Sequence, residues 1–342
     1  MAVTIKTIAE QVQLSNQAVS AVLNNKTNCR VSAKKREQIL AVARELGYTS
    51  SISAQVMRGK ATKTVAILCS APYIQIDEHL TRITLDLMNL FNAAGYGCLY
   101  ALASMKGEDN MKMVRELVTR GATAFVFLGE PVGWGKLEAL INGFGYSFIS
   151  YGNRHASRYV DSFIDCAMKE IIDYFIGCGY GRFSAIFHAH KHLNALYNAF
   201  PGMSKAEVED KYLFKISILK PWNTDLDIYL NIGYEITGKL LKRKPDTQAI
   251  FYNSDIFALG GIRYLTEKGY RVGEDILVVG INNTLAVRSH ILPISSIEHD
   301  VAKITDSLFR EVFMDGECRI EVPMTACIRT ATGYEYNKQN KG

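Results

Sequence analysis

The chain has 342 residues, 48% of them apolar and 21% charged, with a formal net charge of +5 and seven scattered cysteines. That is the make-up of an ordinary soluble globular chain, long enough for a small head plus a bilobed body, and the odd, unclustered cysteines exclude a disulfide or zinc scaffold. No apolar run approaches the length that spans a bilayer and no basic-then-apolar leader opens the chain, so the expectation is a cytoplasmic protein with reduced thiols and no membrane contact.

Residues 4–24 read TIKTIAEQVQLSNQAVSAVLN. Ile5, Ile8, Ala9 and Val12 fall at helical spacing, which predicts a short helix with one apolar face. Leu14 and Ser15 interrupt the run, and Ser15 is a good N-cap because its hydroxyl accepts from an N–H of the next turn. Ala18, Val19, Val22 and Leu23 then form a second apolar stripe. Two short helices joined by a tight turn make a helix-turn-helix pattern, whose second helix meets base edges near its start. Its polar face carries Asn16, Gln17 and Ala21. After a polar loop, Ser32 caps a predicted third helix over 33–46 with Ile39, Leu40, Val42, Ala43 and Leu46 on its core face. Gly47 supplies the left-handed stop. Residues 1–62 hold nine Lys/Arg against three Glu, a net +6 that leaves −1 for the remainder. A basic head on a neutral body is what phosphate neutralisation needs.

The residues TIAxxVxLSxxAVSxVLN, then VSxxKR, then AxxLGY at 43–48 resemble, in register, the lactose/galactose-repressor family of bacterial transcription regulators. The resemblance implies a DNA-binding head over 1–47. Asn16, Gln17 and Ala21 would be the base readers, with Gln17 suited to adenine. Ser15, Ser20, Asn24, Ser32 and Arg36 would position the phosphates. Relatives have Ala-Gly in the turn where this chain has Val12-Gln13, and a glycine-free turn is tolerable if no positive φ is needed. Residues 48–63, YTSSISAQVMRGKATK, are small and polar, at most marginally helical as a free peptide. In relatives this stretch is a hinge helix that orders on DNA; a plain linker is the other reading. Met57 stands where the family has a leucine wedge for the minor groove, and Arg58 would contact phosphate.

From residue 64 the pattern alternates strand and helix. The predicted strands are 64–69, 97–103, 123–129, 146–152, 182–188, 212–219, 249–254, 276–282 and 294–300, with a return through 317–332. Helices fall between them, including 80–93, 108–119, 227–243 and 256–268. This predicts two parallel, doubly wound sheets, with a ligand cleft at the carboxyl ends of their strands. The family resemblance continues through Gly95-Tyr96, Val160 to Asp165, Gly179-Tyr180, SDxxAxG at 254–260, VGEDILVVGINN at 272–283 and PMTACIRTAT at 323–332. It implies a periplasmic-binding-protein-like α/β body over 64–334. One lobe would take 64–160 plus 293–322, the other 161–292 plus 323–334, and 335–342 would be a tail.

By the same resemblance the body senses a small effector and forms a homodimer. The cleft positions would be Ser70, Tyr73, His192, Trp222, Ser254, Asp255 and Asn282. His192 falls where relatives place an arginine, Ser254 where they place an asparagine, and Asn282, followed by Asn283, where they place an aspartate. Losing the cation and a carboxylate removes the strongest hydrogen-bonding groups, which points to a neutral, sugar-like metabolite or to a lapsed pocket. His188, His190 and His192 form H-A-H-K-H, read as a loop at a strand end in preference to a zinc site. The glycines at 177, 179 and 181 lack dinucleotide spacing, and no nucleophilic triad stands out.

The function expected is a dimeric, effector-controlled repressor of a palindromic double-stranded operator, using no cofactor or metal and catalysing nothing. Two alternatives are a DNA binder with a dead pocket, controlled by a partner protein or by abundance, and a solute-binding protein or sugar enzyme on the same fold.

Overall fold

The computed structural model describes residues 3–24, 29–48, 62–70, 78–187, 190–214, 226–330 and 333–334. It divides into a head and a body. Met57, Arg58, Tyr73 and Trp222 lie outside the described residues, as do most of the predicted hinge and of the predicted strand at 212–219.

In the head, α1 (Ile5–Val12), α2 (Asn16–Leu23) and α3 (Ala33–Glu45) enclose Ile8, Ala9, Val12, Val19, Val22, Ile39 and Ala43 in one core. Each helix starts on a hydroxyl cap. Thr4 Oγ1 accepts from the Thr7 N–H at 3.3 Å, Ser15 Oγ from Ala18 at 3.2 Å and Ser32 Oγ from Lys35 at 3.4 Å. Gly47, at φ 64, ends α3 as expected. The turn between α1 and α2 does need a positive φ: Gln13 sits at φ 55, ψ 48. A side chain there costs what glycine would avoid.

The body contains two sheets whose strands run parallel, apart from one antiparallel edge strand, residues 325–327, in the second. β1 (Thr64–Cys69), β2 (Gly97–Leu102), β3 (Ala124–Leu128), β4 (Ser147–Tyr151), β5 (Arg158–Phe163) and β10 (Cys318–Pro323) form the first, in the order β10-β5-β4-β3-β1-β2. β6 (Phe183–Ile186), β7 (Ala249–Tyr252), β8 (Leu277–Val279), β9 (Ile294–Glu298) and β11 (Thr325–Cys327) form the second, in the order β11-β9-β8-β7-β6, and β12 (Arg329–Thr330) pairs with β13 (Gly333–Tyr334).

Helices cover both faces of each sheet. In the first lobe, α4 (Glu78–Ala93) and α13 (Val301–Glu311) pack on Val65 and Ile67, while α5 (Gly107–Thr119) and α6 (Trp134–Gly143) pack on Ala66 and Leu68. In the second, α7 (Asp165–Gly177) and α8 (His190–Asn198) cover Ala249 and Phe251, and α10 (Leu226–Arg243) and α11 (Asp255–Glu267) cover Ile250 and Tyr252. This alternation along single strands explains why they read as unbroken apolar runs.

Four details depart from the sequence reading. The first lobe keeps the chain through Phe163, because β5 pairs in parallel with β4 and β10 instead of opening the second lobe near 161. Residues 294–298 belong to the second lobe, where β9 pairs with β8 and β11, so the return to the first lobe comes after Glu298 and not at 293. Tyr212 ends a helix, α9 (Lys205–Tyr212), and Leu213 then bridges Ala185. A short helix, α12 (Leu285–Arg288), follows the turn after β8.

Gly260 closes the SDxxAxG motif for a packing reason: a Cβ there would sit 2.0 Å from the Leu230 carbonyl oxygen of α10. Gly233 of α10 makes the reciprocal approach, 2.2 Å from the Phe257 oxygen. Gly260→Ala should therefore cost about 3 kcal/mol by overpacking, read as a lowered urea midpoint of the body. In the head, Gln13→Gly should raise stability by roughly 0.5–1 kcal/mol in the same measurement, and no gain would mean that the turn is unstrained.

Candidate DNA-reading and effector sites

The start of α2 and the start of α1 border an open groove of about 590 Å³ lined by Ile5, Lys6, Asn16, Gln17, Ser20 and Ala21. Asn16 and Gln17 are exposed, and Ser20 and Ala21 half-buried. The structure thus brings four of the sequence-predicted DNA residues onto one surface and adds Lys6, which the sequence reading passed over because it looked like an ordinary surface cation. The others have local duties. Ser15 and Ser32 are caps, and the Asn24 side-chain amide donates to the Ser20 carbonyl oxygen at 2.7 Å, closing α2. Arg36 donates to Cys29 Sγ at 3.2 Å. A hydroxyl cap leaves its own proton available to an acceptor, which suits phosphate contact.

The second site is the seam between the lobes at the ends of their strands. His299, at the crossover after β9, is 5% exposed. Its Nδ1 lies 2.8 Å from Ser162 Oγ and 3.1 Å from Tyr151 Oη, both of the first lobe. Its Nε2 lies 3.3 Å from Asn282 Oδ1 of the second. An amide oxygen only accepts, so the imidazole carries its proton on Nε2 and takes a hydroxyl proton on Nδ1. The His79 ring of α4 stacks on it with centroids 3.9 Å apart. At the rim, Glu78 accepts from the Leu285 N–H at 2.7 Å and from Arg288 at 3.2 Å, joining α4 to α12. The sequence reading missed His79, Tyr151, Ser162 and His299. His79, Tyr151 and Ser162 belong to a helix or strand, and His299 to a crossover, whose local pattern gives no hint of a partner lying far away along the chain.

The predicted effector residues separate into open and internal groups. Ser70 is half-buried and donates to the Leu128 oxygen at 2.7 Å, and Ser254 is half-buried at the start of α11 with no capping bond from its side chain. The neighbouring Asn253, beyond β7, has a buried Oδ1 without a hydrogen-bond partner among the described residues. His192 is 6% exposed, packed on Phe187 in the second lobe's interior. Since α8 begins at His190, the H-A-H-K-H run is not one extended strand, and no metal-type cluster occurs among the described residues.

Asp255 is also internal, at 1% exposure. Its Oδ2 accepts from the Thr284 N–H at 2.6 Å and its Oδ1 from Ser296 Oγ at 2.7 Å. Ser296 in turn accepts from the Asn283 N–H at 3.0 Å, and Arg329 donates to Asn283 Oδ1 at 2.6 Å. These bonds hold Asn282 and Asn283 at φ 106 and 46, left-handed conformations that asparagine tolerates better than most side chains. Asp255 therefore shapes the cleft turn and does not meet the cleft itself.

Burial raises the Asp255 pKa from 3.8 to about 6, against the bonds from Thr284 and Ser296 and the charge of Arg329, which lower it. With the folded value above the unfolded one, its stabilising effect is complete below pH 4 and lost as pH rises through 6. Denaturant titrations should show stability falling by about 2–3 kcal/mol between pH 4 and 7 in the wild type, a slope absent in Asp255→Asn. Parallel slopes would show that the carboxylate is ionised throughout.

The family described as "Bacterial regulatory proteins, lacI family" matches residues 4–51, and a "Periplasmic binding protein-like domain" matches 172–321. The HTH-type transcriptional repressor PurR of Haemophilus influenzae is 24% identical over 313 residues, covering 88% of this chain and 87% of that protein. The HTH-type transcriptional regulator AglR of Rhizobium meliloti is 25% identical over 290 residues, 83% of this chain and 79% of that one. Among solved structures, the lac repressor dimer bound to operator and the anti-inducer ONPF superposes with a TM-score of 0.78 at 18% identity, over 97% of this chain and 99% of that one. A complex of the transcriptional regulator CelR with cellobiose gives 0.63 at 18%, over 96% and 99%.

Proposed function

We propose that this chain is a regulator of the lacI family, a dimeric transcriptional repressor whose grip on operator DNA is set by a small neutral effector. The observation that carries the reading is the groove beside α2, where Asn16, Gln17, Ser20 and Ala21 stand next to Lys6 on a head of net charge +6. Asn16 and Gln17 read base edges, while Ser15, Ser32, Asn24 and Arg36 set the head on the phosphates. Met57 and Arg58, within a hinge at 48–63, extend the contact into the minor groove.

Effector binding takes place in the body over 64–334. We assign its polar contacts to Ser70, Ser254, Asn253, Asn282 and His299, which offer hydroxyl, amide and imidazole groups, and its aromatic contacts to Tyr73 and Trp222. Asp255 is spent on its own backbone, which supports a sugar-like or other uncharged metabolite. The unpartnered Asn253 oxygen favours a working pocket over a lapsed one. An effector that prefers one lobe arrangement shifts that equilibrium and with it the pairing of the hinges. A second copy of the chain docks on the first lobe's edge, where β2 exposes Tyr100 and Leu102 and α4 exposes Leu85. We place its action in the cytoplasm, by binding and not by turnover, as for a DNA-binding regulator. Among the described residues no helix is long and apolar enough to cross a membrane.

Selection of bound fragments from random duplexes tests this. The full-length protein should enrich a two-fold symmetric site with steep salt dependence. Gln17→Ala should lose about 1–3 kcal/mol of discrimination at one base position per half-site. Failure to enrich any duplex at low salt, with the head folded, would sink the proposal.

A further inference from the structure

The groove beside α2 is not polar throughout. Lys6, Asn16, Gln17 and Ser20 line it together with two apolar residues, Ile5 and Ala21. Asn16, Gln17, Ser20 and Ala21 follow one another at i, i+1, i+4 and i+5, a single stripe of the helix, while Val19 and Val22 turn into the core. Ile5, at the start of α1, is half-buried and packs against that same core, which fixes its place at the groove; Ala21 is half-buried as well. Of the polar groups, Ser20 Oγ is engaged by its own helix end, accepting from the Asn24 amide at 3.3 Å. Lys6 is differently placed. Its ammonium meets Glu10 only at 4.0 Å, with the two side chains 76% and 68% exposed, and so open a pair is held weakly in water. Lys6 can therefore turn to a ligand in the groove.

The apolar pair constrains which base this groove accepts. In the major groove the thymine C5-methyl is the apolar group a base pair presents, and it lies beside the O4 acceptor; cytosine presents an N4 donor and no methyl. Covering a polar base edge with Ile5 and Ala21 would desolvate it with no hydrogen bond in return. Covering a methyl removes apolar surface from water on both sides. The Lys6 ammonium can only donate, so it complements thymine O4 and opposes the cytosine amine. Spacing adds a position. Ala21 stands one helical turn beyond Gln17, about 5.4 Å along the axis, and successive base pairs are about 3.4 Å apart. The base under Ala21 then falls within about two steps of the one that Gln17 reads.

We infer that Ile5 and Ala21 form a notch for a thymine methyl and that Lys6 reads the O4 of the same base, so each half-site carries a fixed T·A pair next to the bases read by Asn16 and Gln17. This rests on the reading above that the groove faces duplex DNA. The full-length protein is tested on the duplex that selection yields, with each thymine replaced in turn by deoxyuridine, which lacks only the methyl. One thymine, the same in both half-sites, should be sensitive, with affinity about fourfold weaker per half-site, the factor that one buried methyl carries. In Ile5→Thr, Ala21→Ser and their double variant the ratio of thymine to uracil affinity should fall toward one. That ratio is taken within each variant, so any loss of folding stability cancels. Exchanging the sensitive T·A pair for 5-methylcytosine·guanine keeps the methyl and replaces O4 by an amine; wild type should reject it, and Lys6→Met should discriminate less. A protein that enriches no duplex removes the DNA reading and this assignment together. A tightly bound, symmetric site without a methyl-sensitive thymine overturns the assignment alone, as does a sensitive thymine whose ratio neither Ile5→Thr nor Ala21→Ser alters. Unchanged rejection of 5-methylcytosine by Lys6→Met overturns the part given to Lys6.

Discussion

The buried carboxylate of Asp255 is the constraint on which the body's binding geometry depends. It sits at the start of α11, against Gly280, where any Cβ would lie 2.1 Å from its Oδ1. From there it fixes the Thr284 backbone and, through Ser296, that of Asn283. Two successive left-handed asparagines are costly unless the surroundings over-determine them. The Asp255–Ser296–Asn283–Arg329 chain of bonds does so, and it sets Asn282 where its amide oxygen reaches His299. A buried charge thus becomes the support for the turn that carries Asn282.

The seam around His299 connects the lobes through neutral hydrogen bonds and a ring stack, while the Glu78 carboxylate joins them at the rim. Such contacts are of modest individual strength and directional, so a small ligand can compete with them and bias one lobe arrangement over another. The head uses electrostatics differently. Its +6 lies on a module whose core needs only seven fully buried apolar residues, and the polar face of α2 is left open. Its affinity can then come from phosphates and its selectivity from two or three side chains.

Much of this was legible in the chain itself. The apolar spacing of residues 4–24 predicts α1 and α2, the hydroxyls at 15 and 32 predict the caps of α2 and α3, and Gly47 predicts the end of α3; all stand where local chemistry puts them. Alternating apolar runs likewise predict the strands, since burial on both faces leaves a continuous pattern that needs no knowledge of neighbours. Boundaries between lobes were less legible: the sequence reading has no strand where β5 forms, and β9 reads as a strand of either sheet until its partners are known.

Residue type and spacing by themselves therefore determined a helix-turn-helix head, a doubly wound body and an exposed polar face of α2 at Asn16 and Gln17. Only the tertiary structure decided that Asp255 turns inward, that Gln13 must adopt a positive φ, and that His79, Tyr151, Ser162 and His299 converge. Local propensity acts over a few residues and leaves its mark in the sequence period. Convergence arises from parallel crossovers that bring strand ends together from far apart in the chain, and no period records it.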